Sequence, residues 1–254
     1  MAWPDFTELT FGYAYLRELE RLYAPGGSFP LAPDFISQNQ EADKGYDVEV
    51  LLDGAAPLFI QFKRSFVLTR SNAKEVQDGT FQGPQVFRMH LHKSGAYRQH
   101  KALQALEAAG SDVQYVTSQI YTRTEFNKAF TMQRLVADAS SHFLPGEIVL
   151  PDYSHEHHVS FRAQDAYGYV YSEQGVQFPR KIGNHDAWLS HVRQRRRSYQ
   201  ENRMSLEKAV EVMAVGIGPF SRLGRLLKNK PLEQRASILA YLKLDAQLAF
   251  VRRV

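Results

Sequence analysis

A chain of 254 residues, 44% hydrophobic and 23% charged, is long enough for one well-buried core with an appendage. Its net charge of +4 is uneven, with 12 Lys+Arg against 15 Asp+Glu in residues 1–127 and 19 against 12 in residues 128–254, so the second half suits a polyanion. The absence of cysteine excludes disulfides, a thiolate nucleophile and Cys-bound zinc; no apolar run suits a membrane span and Met1-Ala2-Trp3-Pro4-Asp5 lacks signal-peptide character, so a cytoplasmic protein is expected.

Asp5 followed three residues later by Glu8 reads as a capping box. With the apolar stripe Leu9, Tyr13, Leu16, Leu19 and Leu22-Tyr23 it predicts a helix over 5–23, stopped by Pro25-Gly26-Gly27. Residues 24–44 read as loop with a short strand near Phe35-Ile36. Tyr46–Val50 and Leu58–Lys63 then alternate with period two, as half-buried strands do, and Asp53-Gly54-Ala55-Ala56-Pro57 is short enough to join them as a hairpin. Asp47 and Glu49 share a face opposite Tyr46, Val48 and Val50, and Gln61 and Lys63 share one opposite Leu58, Ile60 and Phe62. Pairing gathers a carboxylate, an amide and an ammonium at one sheet edge, a set suited to a metal and a phosphate.

Residues 69–95 are polar and irregular and read as a flexible insertion, with Val86–Leu91 as a strand or helical turn. A helix over 96–109, ended by Gly110, precedes a strand over 113–120, and a helix between strands implies a crossover and a parallel pair in a mixed sheet. A helix over 124–138 and short strands within 146–182 follow, the latter around Val159-Ser160-Phe161 and Gly168–Ser172. Helices over 186–200, 205–214, 219–228 and 231–250 complete the chain. A boundary near residue 140 divides an α/β core, 1–140, from a basic region, 141–254, that is mixed and then helical.

This order of helix, hairpin, helix and strand, with Asp47, Gln61-Phe62-Lys63 and a glutamate at Glu8, resembles the PD-(D/E)XK nuclease superfamily. The Gln-X-Lys variant is similar to that of Mrr-type restriction enzymes. The resemblance covers residues 5–120 and implies a restriction-endonuclease-like α/β fold, a mixed sheet flanked by helices, with a mixed then helical C-terminal extension. It implies Mg²⁺ (or Mn²⁺) held by Asp47 and Gln61, Lys63 beside the attacking water, and support from Glu8. Gln61 stands where the family usually carries Asp or Glu, so an acid must compensate, and Glu41 is preferred over Glu49 and Glu8. The implied function is metal-dependent endonuclease cleavage of DNA, ahead of RNA, in prokaryotic genome (antiviral) defence. Helical tails on such cores often mediate homodimers, and a rival reading is a protein–protein module whose helical tail docks a partner protein. The alternative is a catalytically weak or inactive nucleic-acid-binding or assembly protein of the same fold.

Each of these residues also has a structural role open to it. Asp47 can be a solvent-facing strand residue, Gln61 and Lys63 the polar face of an edge strand, and Glu8 the N3 residue of its capping box. Lys181, Arg193, Arg195, Arg196 and Arg197 form the densest positive cluster and are candidate phosphate contacts. Trp188 and Tyr199 beside them suit base stacking, or for Trp188 the core. His155-Glu156-His157-His158 lacks a further ligand at zinc spacing and reads as a solvated turn, with His158 able to aim toward a phosphate. Gly216-Ile217-Gly218-Pro219 lacks the lysine of a phosphate loop, and no Gly-X-Ser-X-Gly elbow occurs.

Overall fold

The computed structural model describes residues 2–29, 31–37, 41, 44–51, 57–83, 85–108, 111–163, 165–172, 174–195, 197–198 and 230. Met1–Arg195 forms one compact unit and Arg196–Val254 a second. The helices expected over 205–214, 219–228 and 231–250, with Arg196, Tyr199 and Gly216–Pro219, lie outside the described residues. Among the described residues no helix is long and apolar enough to cross a membrane.

Helix α1 (Glu8–Tyr23) is capped by Thr7, whose side-chain oxygen accepts the Thr10 N–H at 3.1 Å. The expected capping box is therefore corrected: Thr7 takes the role given to Asp5, and Glu8 is the first helical residue, freed from capping. Its buried face is Phe11, Ala14, Tyr15, Leu16, Glu18 and Leu19, whereas Leu9, Tyr13 and Leu22 are exposed. Apolar residues occur all round this helix, so of the expected stripe Leu16, Leu19 and Tyr23 meet the core while Leu9, Tyr13 and Leu22 do not. The choice is made by packing: Phe11 and Tyr15 meet the Phe62 ring edge-on at 6.1 and 5.7 Å.

The first sheet contains β1 (Asp34–Phe35), β2 (Val48–Leu51), β3 (Pro57–Lys63), β6 (Asp112–Ser118) and β7 (Ser140–Phe143), in that spatial order. The hairpin is present, with Val48 opposite Ile60, and so is the parallel pair, with Gln61 beside Tyr115 and Lys63 beside Thr117. The second sheet is wholly antiparallel, ordered β10 (Gly175–Pro179), β9 (Tyr167–Tyr171), β8 (His157–Phe161), β5 (Val86–Leu91), β4 (Ser65–Leu68). Only Arg64 separates β3 from β4, so the chain passes from one sheet to the other with no Gly, Pro or Asn to mark the step.

Within residues 69–95, read as a flexible insertion, Val86–Leu91 forms the strand β5, one of the two forms expected for it, and the unexpected element is a short helix α2 (Lys74–Gln77) anchored by the fully buried Glu75. Helix α3 (Ser94–Ala108) makes the crossover. The helix expected over 124–138 is two, α4 (Arg123–Met132) and α5 (Leu135–Asp138), broken where Gln133 turns left-handed at φ 56°. A last helix, α6, covers residues 185–195. The boundary placed near residue 140 falls inside both sheets, since β6 pairs with β7 and β5 with β8 across it; the break lies after Arg195.

Two cores result. Val48, Val50, Leu58, Ile60 and Phe62 pack against α1 and the buried Trp188. Phe59, Val113, Tyr115 and Phe143 face Met89, Val159 and Phe161 of the second sheet, with Tyr97 and Leu103 of α3. Each such side chain contributes about 1.5–3 kcal/mol by leaving water, so the polar residues held on the same inner face as Phe59 are conspicuous.

Candidate functional site

Period-two alternation along β3 turns Phe59, Gln61 and Lys63 to the inner face. Asp47 lies one residue before β2 and donates its N–H at 2.9 Å to the carbonyl of Ile60, the residue that Val48 faces, which holds it beside β3. Asp47 Oδ2 accepts the Phe62 N–H at 2.7 Å and Gln61 Nε2 at 2.8 Å. Gln61 Nε2 also makes a longer contact, 3.5 Å, to Glu41 Oε1. From α3, Gln99 Nε2 donates to Glu41 Oε1 at 2.6 Å and Gln61 Oε1 at 3.0 Å, and its carbonyl accepts Lys63 Nζ at 2.8 Å. Two neutral amides thus join one ammonium to two carboxylates. Gln61 and Lys63 are only 0% and 5% exposed, so they are not the solvated face of an edge strand.

Local backbone conformation delivers these groups. The turn from Glu41 closes with the Gly45 N–H on the Glu41 carbonyl at 2.8 Å. Gly45 has φ +87°, and a Cβ there would lie 2.7 Å from the Gln99 carbonyl, so only glycine lets this turn approach α3 so closely. On α3 itself Gly95, Ala96 and Tyr97 are left-handed at φ 59°, 53° and 63°. Left-handed backbone costs about 1–2 kcal/mol for each residue carrying a Cβ. The buried Tyr97 holds the turn in place: its hydroxyl donates to the His155 carbonyl at 2.5 Å and accepts the His157 N–H at 2.7 Å. Right-handed helix starts just after it, which aims Gln99 at Lys63.

Burial, then the charge of Glu41, raise the Asp47 carboxyl to about 7, with Lys63 opposing them. Burial also lowers the Lys63 ammonium from its ordinary value, while Glu8, Asp47 and Glu41 pull it back up. Glu8 is raised chiefly by burial, against the pull of Lys63 and a hydrogen bond from the Arg64 backbone. Hence all five residues proposed from the sequence, Asp47, Gln61, Lys63, Glu41 and Glu8, meet in one electrostatic cluster.

Within the first unit, Lys181, Arg193 and Arg195 do not join them. Helix α6 packs on the opposite face of the sheet, where the fully buried Trp188 donates its Nε1–H to Gln114 Oε1 at 2.9 Å; it is a core residue and stacks no base. Lys181 and Arg193 are exposed, Arg195 is half-buried, and Arg197 is exposed in the second unit. In the histidine run, His155 bonds Asp152, His157 is buried with Nε2 donating to the Asp152 carbonyl at 2.8 Å, and His158 faces Glu75, so none aims at a phosphate.

Two residues escaped the sequence reading. Gln99 shares a helical stripe with Leu103 and Leu106, and a polar residue on that apolar stripe was its trace. His92, exposed just past β5, is lowered first by the field of Lys63 and then by burial, and feels Glu41. Nothing in its sequence surroundings marks it.

Among the described residues no three His, Asp or Glu side chains converge as a metal cage. The donors nevertheless suit a hard divalent cation. They are oxygens, and Glu41 and Asp47 are like charges sharing one amide donor, which a cation would relieve. Magnesium keeps several waters and is held by as few as one or two carboxylates. Gln61 would add its carbonyl if the amide turned over, exchanging Nε2 for Oε1 toward the carboxylates. No family model matches the chain, nor does any curated protein or solved structure.

Proposed function

We propose that this chain is a metal-dependent nuclease of the PD-(D/E)XK, restriction-endonuclease-like type, hydrolysing phosphodiester bonds of DNA, with prokaryotic genome defence as the role that resemblance implies. One observation carries the reading: Asp47, Gln61 and Lys63 meet on the inner face of β3, beside a parallel β6, with Glu41 and Glu8 in reach.

Asp47 and Glu41, with the Gln61 carbonyl, would hold the cation, Mg²⁺ or Mn²⁺. Bound there, it supplies charge neutralisation at the phosphate oxygens and a more acidic water. The chain's own residues do the rest. Lys63 places a buried positive charge where negative charge develops, in surroundings where water screens it poorly. Its lowered pKa also eases transfer of a proton to or from the attacking water. Gln99 fixes the ammonium by accepting from it, and the Phe62 N–H and Gln61 amide hold Asp47.

The test is cleavage of plasmid and linear DNA with Mg²⁺ or Mn²⁺, comparing wild type with Asp47→Asn and Lys63→Ala. Cutting should require metal and fall by about 10²–10³-fold in either variant; undiminished cutting by both contradicts the assignment. The amide at Gln61 favours a second reading, a binding or assembly protein of the same fold. DNA binding without cutting on any substrate would select it.

A further inference from the structure

The outer face of the second sheet carries a run of rings and cations that begins beside Lys63. Ala2 bridges Val67, which sets Trp3 at the edge of β4 next to Phe66. Phe66 stands opposite Arg88, and His90 opposite His158, itself opposite Tyr171. Ring centroids are 4.9 Å apart for Trp3–Phe66, 5.2 Å for Phe66–His90, 6.0 Å for His90–His158 and 5.7 Å for His158–Tyr171, the last pair tilted by only 9°. Guanidinium groups cover the first two rings, Arg64 at 4.9 Å from Trp3 and Arg88 at 5.6 Å from Phe66. Arg64 directly follows Lys63, and His92, two residues past His90, lies in the field of Lys63. The run therefore starts from the chain segment that also carries Lys63, with Arg64 and Phe66 following it along the chain into β4.

Part of it is core, since Phe66 and Tyr171 are each 1% exposed and Arg88 is matched by Glu75. The rest is open: Trp3 is 52% exposed, and Arg64, His90 and His92 are exposed. Rings that offer a face to bases, interleaved with cations that meet phosphates, are how proteins take single strands without reading sequence. A duplex keeps its bases stacked inside and gains nothing from the rings. We propose that this face binds one strand of single-stranded nucleic acid and leads it to the Asp47/Lys63 site. The destination rests on the nuclease reading; the binding does not.

Trp3 reports on this directly, because the chain has 2 tryptophans and the other, Trp188, is fully buried. The whole chain is titrated in EDTA with an oligothymidylate of about 15 nucleotides, following tryptophan emission and, for labelled oligonucleotide, anisotropy. Emission should be quenched, and the quenching should vanish in Trp3→Phe, which keeps a ring against Phe66 and so guards against unfolding at the edge. Trp3→Ala and His90→Ala should each weaken binding about 10-fold, within the range for loss of one stacked base. Arg64→Gln should reduce the salt slope by about 0.7, one phosphate contact on a single strand. Wild-type affinity in Arg64→Gln and His90→Ala overturns the proposal, as does equal or tighter binding of blunt duplex. With no metal present, strand binding lost with these residues in a protein that never cleaves refutes the nuclease reading alone. Metal-dependent cleavage with unaltered strand affinity in the variants refutes this inference alone.

Discussion

Each sheet buries a carboxylate beside basic groups, and the two are treated oppositely. Glu75, in helix α2 against the second sheet, is pushed up by burial, but hydrogen bonds from His158 and Arg88 outweigh that and bring it down to about 2. Its Oε1 receives Arg88 Nε at 2.8 Å, Ser160 Oγ at 2.9 Å and His158 Nε2 at 3.2 Å. Asp47, beside the first sheet, is raised to about 7 by burial and then by the charge of Glu41, which Lys63 and the Phe62 N–H only partly offset. Glu75 is a matched charge that fastens helix α2 to the sheet. Asp47 is an unmatched one, kept at a cost to the fold, and unmatched buried charge concentrates where chemistry is done.

The sharpest way to break this contrast is Glu75→Ala. It strands Arg88 and His158 without their counter-charge and should cost about 3–5 kcal/mol, read as a lower urea midpoint at unchanged slope. A loss below about 1 kcal/mol, the level of an exposed pair, would mean that Glu75 fastens nothing.

Acid sharpens it further. His100 and His142 are buried and neutral, lowered chiefly by burial to about 4 and about 3. The unfolded chain takes up these protons first, at the ordinary 6.5, so their contribution is complete above that pH and is lost as pH falls toward 4 and 3. The loss is on the order of 3–5 kcal/mol each. Glu75, with its depressed pKa, loses its contribution only below its ordinary 4.5, as pH falls toward 2. Urea midpoints should thus drop from pH 6.5 downward in wild type and Glu75→Ala alike, with the gap between them closing only below pH 4.5. A gap that closes earlier contradicts the low value for Glu75.

The smallest effect concerns backbone strain, which lies next to the Asp47 network. Ala96→Gly removes a Cβ from a residue at φ 53° and should stabilise the unit by about 1 kcal/mol in the same titration. Destabilisation would place the strain elsewhere.

The sequence made Asp47, Gln61 and Lys63 legible because period-two alternation and a parallel crossover leave few ways to arrange two short strands and a helix. It misplaced Glu8, because Thr7 and Asp5 are both good caps and only packing on Phe62 chooses between helix registers. β4 was invisible because Ser65–Leu68 continues from β3 with no turn residue, although one residue there changes sheet. The segment ahead of β5 looked like a flexible insertion because a buried glutamate reads as surface until its pairing with Arg88 is seen. Gln99 depends on a close approach that one glycine, Gly45, permits, and such approaches leave no period in a sequence.

The central claim is that Asp47 is held for a cation and not for the fold. Thermal melting of wild type and Asp47→Asn, each with and without Mg²⁺, tests it directly. The account predicts that the variant without metal is at least as stable as wild type, since asparagine can accept the same two hydrogen bonds without the buried charge. It also predicts that Mg²⁺ raises the wild-type midpoint and leaves the variant's unchanged, as ligand binding to the folded state alone requires. A destabilised variant, together with a wild-type midpoint indifferent to Mg²⁺, would contradict it.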